Sequence, residues 1–254
     1  MKHKNKSILV IDSGIGGLTT LSSISKNLNA NFIYFADNKF APYGNKTSEF
    51  LKNRLFDIIS SLQTKYNFSI VVLACNTATT ITIRHLRTSF PNLIFVGTEP
   101  AYKVAIDKGY KKPAIIATER TIGHISSFLS NKFKLISSKS LASNIEKTFV
   151  CDSKINKFQL LKDIYRLKKN TQNNDCLVLG CTHYVFLKQK LSKLLKIPVI
   201  DGNQGVSNQV LQYHQQDKLK KSSYKIILSH KNYSSLQNYK KILKQILANQ
   251  INLC

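Results

Sequence analysis

Apolar residues along this 254-residue chain fall into short runs that alternate with longer stretches of helical period. The runs at residues 7–11, 31–36, 70–74, 93–97, 114–117, 134–137, 176–179 and 198–200 predict strands. The stretches at 18–28, 47–66, 77–89, 121–129, 157–170 and 184–195 carry their apolar residues on one helical face. A last stretch, 234–249, places Leu236, Tyr239, Ile242, Leu243, Ile246 and Leu247 at helical spacing. Alternation of this kind predicts an α/β fold with mostly parallel sheets.

One phrase in the pattern occurs twice. Residues 71–77 read Val-Val-Leu-Ala-Cys-Asn-Thr, and residues 177–183 read Leu-Val-Leu-Gly-Cys-Thr-His. Each is a strand-like run that stops at a small residue, then a cysteine, then hydrogen-bonding side chains. The duplication predicts two similar α/β domains, 1–97 with 207–254 and 98–206, with Gly97 and Pro100 interrupting the chain at the first boundary. No low-complexity linker separates them, so the site is expected in the cleft between them. Ligands of open α/β sheets bind beyond the carboxyl ends of strands, which is where Cys75 and Cys181 fall. Two thiols facing each other can take a proton from a carbon on one side and return one on the other.

Composition narrows the setting. The hydrophobic share of 43% is that of an ordinary globular protein. No apolar run approaches the ~20 residues that span a bilayer. The basic start is followed by an apolar run that is too short for a signal peptide and breaks at Asp12. The five cysteines, Cys75, Cys151, Cys176, Cys181 and Cys254, contain no Cys-x-x-Cys, which fits a reducing, cytoplasmic compartment. A zinc site from Cys176, Cys181 and His183 lacks the usual ligand spacing and a second pair, so no metal is expected. The net charge of +25 raises nucleic acid as a partner. Only five of the 38 basic residues are Arg, however, and the lysines are scattered. A solvated lysine surface with no specific nucleic-acid partner is the better reading.

Other segments also carry candidate chemistry. Asp12-Ser13-Gly14-Ile15-Gly16-Gly17-Leu18 leads from a strand into a helix but matches neither G-x-G-x-x-G nor a P-loop. Its glycines suit close approach of backbone amides to an anion. Pro42-Tyr43-Gly44 is a turn, or a source of a hydroxyl and an amide for a small polar ligand. A helix starting after each cysteine would favour a thiolate. Cys75 or Cys181 is therefore expected to alkylate faster than Cys151 or Cys254. Cys–His nucleophilic catalysis through His183 stays open, although neither thiol has a separate oxyanion motif.

Taken in order, Asp12-Ser13-Gly14-x-Gly16-Gly17-Leu18, Pro42-Tyr43-Gly44, Ala74-Cys75-Asn76-Thr77-Ala78 and Gly180-Cys181-Thr182-His183-Tyr184 resemble the pattern of glutamate racemases. Ala117-Thr118-x-x-Thr121 resembles a further loop of that family, and the likeness spans residues 8–201. The resemblance implies a cofactor-independent racemase of the aspartate/glutamate racemase superfamily, with two α/β domains and an interdomain site. It also implies a bacterial source and a supply of D-glutamate for peptidoglycan. By matching position, Cys75 resembles the base acting on D-glutamate and Cys181 the base acting on L-glutamate, with Asp12 and His183 as their assistants. Ser13, Pro42, Tyr43, Gly44, Asn76, Thr77, Thr118, Thr121 and Thr182 resemble substrate-contacting positions. Asp201-Gly202 departs from the family's Asp-Ser, and residues 143–146 match only loosely a motif ending in a functional glutamate, here Glu146. Aspartate or another amino acid is the alternative substrate, and a homodimer is compatible with the resemblance.

Overall fold

The computed structural model describes residues 6–151, 154–214, 219–230 and 233–248. Cys254 and the end of the 234–249 stretch lie outside the described residues.

Strands that are apolar along their whole length need cover on both faces, and parallel pairing with crossover helices supplies it. In the first half β1 (Ser7–Asp12), β2 (Asn31–Ala36), β3 (Phe68–Leu73) and β4 (Ile94–Gly97) alternate with α1 (Gly17–Asn27), α2 (Ser48–Gln63) and α3 (Asn76–Ser89). In the second, β5 (Pro113–Ala117), β6 (Lys134–Ser137), β7 (Cys176–Gly180) and β8 (Val199–Ile200) alternate with helices. These are α4 (Tyr102–Asp107), α5 (Glu119–Leu129), α6 (Leu141–Cys151), α7 (Lys154–Asn170) and α8 (Lys188–Leu195). The chain then runs through α9 (Asn203–Tyr213), β9 (Ser223–Leu228) and α10 (Tyr233–Leu247). Thr47 and Thr118 start α2 and α5 by accepting a hydrogen bond from the backbone N–H three residues on.

Two sheets result, ordered β4-β3-β1-β2-β9 and β6-β5-β7-β8, and every described strand pair is parallel. The expected α/β fold of two mostly parallel sheets is therefore present. β9 joins β2 in register from Asn31 opposite Ser223 to Ala36 opposite Leu228, so the chain returns to the first sheet after completing the second. α9 and α10 pack on α1, and α10 also reaches α6.

Some elements differ from expectation. β9, α4, α6 and α9 were not predicted. The stretch at 184–195 is two pieces, a 3₁₀ segment Thr182–Leu187 followed by α8. Tyr184, Phe186 and Leu187 are all buried there, so the segment packs all round and shows no single apolar face.

The strand orders place the site. The chain leaves β1 toward β2 on one side and β3 toward β4 on the other, so the loops after β1 and β3 part at a switch point. β5 and β7 repeat the arrangement in the second sheet. Asp12 ends β1 and Cys75 follows β3, while Thr118 follows β5 and Cys181 follows β7.

Candidate active site

Ten of the sequence-predicted residues line one cavity between the lobes: Ser13, Pro42, Tyr43, Gly44, Cys75, Asn76, Thr77, Thr118, Cys181 and His183. Its volume is about 10 Å³, room for no more than one water. Ala142, from the unpredicted α6, also lines it. Pro42, Gly44, Thr118 and Ala142 are shared with an outer cavity of about 860 Å³ that also holds Arg120 and Lys139. Glu119 lines it too and lies 3.4 Å from the Lys139 ammonium, so Arg120 is the cation there without that carboxylate as its partner.

Asp12, Thr121 and Thr182 stand just behind the cavity wall. Asp12 is fully buried, and its Oδ2 accepts a 2.9 Å bond from the Thr182 hydroxyl across the lobes. Burial pushes its pKa up to about 6, with the positive charge of His183 and the Thr182 bond pulling against it. The hydroxyls of Thr77, Thr118 and Thr121 form a triangle, with Thr77 3.0 Å from Thr118 and Thr118 3.1 Å from Thr121. They belong to opposite lobes, so a carboxylate lying here would be gripped from both sides. The side-chain NH₂ of Asn76 is buried and without a protein acceptor.

Tyr43 plays a part the sequence did not suggest. Its hydroxyl donates to buried Asp37 at 2.9 Å, and Arg54 grips the same carboxylate with Nη2 at 2.6 Å and Nε at 2.9 Å. The hydroxyl therefore anchors the Pro42–Gly44 turn, and the ring forms the cavity wall. Gly44 faces Thr118 across the cleft, where an added Cβ would stand 3.0 Å from the Thr118 Cβ.

The two thiols differ in setting. Cys75 caps α3, as expected, and the amides of Thr77 and Ala78 point at it. Burial nevertheless wins and, helped by the charge of Asp12, pushes the thiol well above its usual range, so Cys75 rests as a neutral thiol. The expectation of a resting thiolate is thus reversed at this position. Cys181 Sγ lies 4.0 Å from His183 Nδ1, and His183 Nε2 lies 2.8 Å from Glu146 Oε2. Burial opposes a charge on His183, but the bonds to Cys181 and Glu146 outweigh it and hold the ring protonated well above the ordinary range. Burial likewise opposes the charge on Glu146, yet bonds from His183, the Ile15 N–H and Tyr239 bring that carboxyl below its usual value.

Glu146, only loosely matched in sequence, is therefore in direct contact with His183 of the cavity wall. Its partner His183 is 37 positions away, a distance no local pattern encodes. Cys176 starts β7 whereas Cys181 follows its end, so the zinc grouping considered from sequence is not assembled.

Two predictions arise here. Brief iodoacetamide treatment of the ligand-free protein is expected to label exposed Cys151 ahead of buried, neutral Cys75. Peptide mass spectrometry checks this, and Cys75 labelled first would refute it. The second concerns Asp12. Its folded pKa of about 6 lies above the unfolded value near ~3.9. Below pH ~4 the acid is protonated in both states and costs nothing. As pH rises through about 6, folding forces the charge into a dry site and stability falls by roughly 3 kcal/mol. Asp12→Asn is therefore expected to raise the melting temperature relative to wild type more at pH 8 than at pH 4. An equal shift at both pH values would remove the argument.

The geometry has counterparts among known proteins. The family model described as Asp/Glu/Hydantoin racemase matches residues 30–209. A glutamate racemase of Clostridium acetobutylicum is 35% identical over 83% of this chain and 84% of its own. One from Buchnera aphidicola is 33% identical over 94% of this chain and 93% of its own. Among solved structures, the Escherichia coli glutamate racemase, in complex with L-glutamate and the activator UDP-MurNAc-ala, superposes with a TM-score of 0.77 at 23% identity over 95% of both chains. That of Aquifex pyrophilus gives 0.71 at 26% identity over 95% of both chains.

Proposed function

Because this chain belongs to the Asp/Glu/Hydantoin racemase family and is an amino-acid racemase of the glutamate racemase kind, we propose that it interconverts L- and D-glutamate through Cys75 and Cys181, without a cofactor. The observation that carries the reading is the pairing of two buried cysteines, each beyond the end of a corresponding strand, on one small cavity between the lobes. The lobes are taken as residues 1–97 with 207–254 and 98–206.

Deprotonating the α-carbon of an amino acid leaves carbanion-like charge that spreads into the carboxylate. Fixed donors in a water-poor site offset that charge. The Asn76 amide and the hydroxyls of Thr77 and Thr118, all on the cavity wall, are such donors, while the hydroxyls of Ser13 and Thr182 donate to Asp12. With L-glutamate, Cys181 as thiolate takes the α-proton, with protonated His183 beside it as counter-charge. Neutral Cys75 then delivers its proton to the opposite face, giving D-glutamate. The reverse reaction begins with Cys75 as thiolate, and Asp12, poised near pH 6, is placed to relieve it of its proton. Glu146 holds His183 at the thiol.

The product D-glutamate feeds peptidoglycan synthesis and cell shape in the cytoplasm of a bacterium. No described helix is long and apolar enough to cross a membrane.

The test is a circular-dichroism assay with a panel of amino acids, using protein dialysed against a chelator and hydroxylamine. Interconversion of glutamate well ahead of aspartate is expected. A preference for another amino acid would correct the substrate, and activity returning only with pyridoxal phosphate or a metal would overturn the mechanism.

A further inference from the structure

The carboxylate of Glu146 is held by three donors from three separate parts of the chain. Oε2 accepts from the Ile15 N–H and faces His183 Nε2, each at 2.8 Å. Oε1 accepts from the hydroxyl of Tyr239 at 2.7 Å. Tyr239 lies on α10, which packs against α1 and β9 of the first sheet, whereas Glu146 lies on α6 beside the second. The tyrosine ring is 1% exposed, and burial followed by the charge of Glu146 keeps its hydroxyl protonated far above its ordinary range. A group in that state can only donate toward the carboxylate. One residue earlier, the Asn238 amide donates to the Val150 carbonyl at 2.8 Å, so α10 stays docked on α6 independently of the phenol.

We propose that Tyr239 is a positioning residue for proton transfer at Cys181: its hydroxyl fixes the Glu146 carboxylate, through which His183 is held toward the thiol. The proposal rests on the racemase reading of the site and adds a residue to it. Without the phenol, Oε1 loses its described donor and the carboxylate can swing about the Ile15 bond. His183 then loses its fixed distance from Cys181, and Glu146 takes up a proton more readily.

The test is Tyr239→Phe, which removes one oxygen and keeps the packed ring. Racemisation kcat is expected to fall about tenfold, the effect of one lost hydrogen bond to a charged group, with KM changed by less than about twofold. The acid limb of kcat should move up by about one pH unit, because a carboxylate short of a donor protonates sooner. In a Glu146→Gln background the same change should have little further effect on kcat. Independently of activity, the downfield imidazole N–H proton resonance of His183, assigned with His183→Asn, should broaden in Tyr239→Phe. An unmoved pH profile and an unchanged resonance would overturn the proposal, as would equal effects in both backgrounds. Wild-type protein inactive on every amino acid would overturn the proposed function instead, and the resonance would still report on the positioning.

Discussion

Cys75→Ala and Cys181→Ala are each expected to lower glutamate racemisation by about 10³-fold or more, from either enantiomer. Positioned acid–base groups contribute ~10²–10⁴-fold apiece, and each direction needs one thiol as base and the other as acid. The two cannot substitute for one another, because they approach from opposite lobes and a proton returned to its own side regenerates the starting enantiomer. Wild-type enzyme in D₂O should therefore place deuterium in the product at early times and leave the remaining substrate unlabelled. The assistants should act unequally on turnover: Asp12→Asn should slow the D-glutamate side more and His183→Asn the L-glutamate side more. The ratio of kcat/KM values stays fixed by an equilibrium constant near ~1, so the asymmetry belongs to kcat alone. Circular dichroism and mass spectrometry read all of this, and robust racemisation by either alanine variant would end the two-thiol mechanism.

The second large effect is expected from one methyl group. Gly16 sits in ordinary helical geometry, φ −53° and ψ −46°, which any residue adopts. An added Cβ there would lie 2.6 Å from both His183 Nδ1 and Thr182 Oγ1, and 2.8 Å from the His183 backbone nitrogen. The side chains have nowhere to go and the backbone cannot yield, so Gly16→Ala should hold the lobes apart. Displacement of a catalytic group by ~1 Å costs ~10²-fold, and a loss of at least that size is expected here. Gly205→Ala is the control: nothing stands within 4 Å of its added Cβ, and activity should persist. Equal activity in the two variants would show that the cleft does not depend on this approach.

That glycine also marks the limit of what the sequence shows. The motif Gly14-x-Gly16-Gly17 suggests a place where backbone approaches an anion. In the structure an added Cβ at Gly14 would stand 2.3 Å from Glu146 Oε2, so the anion is a side chain of the protein's own second lobe. Strands β1, β2, β3, β5 and β7 are legible because parallel strands buried on both faces read as continuous apolar runs. β9 is not, since Ser223 and Lys225 are exposed and leave a diluted edge-strand pattern. α6 is hidden by its Ser143, Asn144 and Thr148, weak helix formers that interrupt any obvious helical stretch. With α6 goes the setting of Glu146. Tyr239 is legible as one apolar position of a helix, but its hydroxyl bond depends on a residue 93 positions away. The thiols stand out because strand ends and duplication are local features. Their helpers are assembled by long-range packing.

The late return of the chain to the first sheet has a consequence during synthesis. β1 to β4 are complete by Gly97, whereas β9 begins only at Ser223. At the pace of a ribosome that interval is on the order of ten seconds. Throughout it the outer edge of β2 is an unpaired parallel edge, the kind of surface that other nascent chains can pair with. α10, which brings the Tyr239 hydroxyl to Glu146, is translated later still. A nascent chain therefore carries both thiols well before it can close the sheet beside them. For those seconds its hazard is aggregation, and a chaperone covering the β2 edge would protect this protein more than one attending its second half.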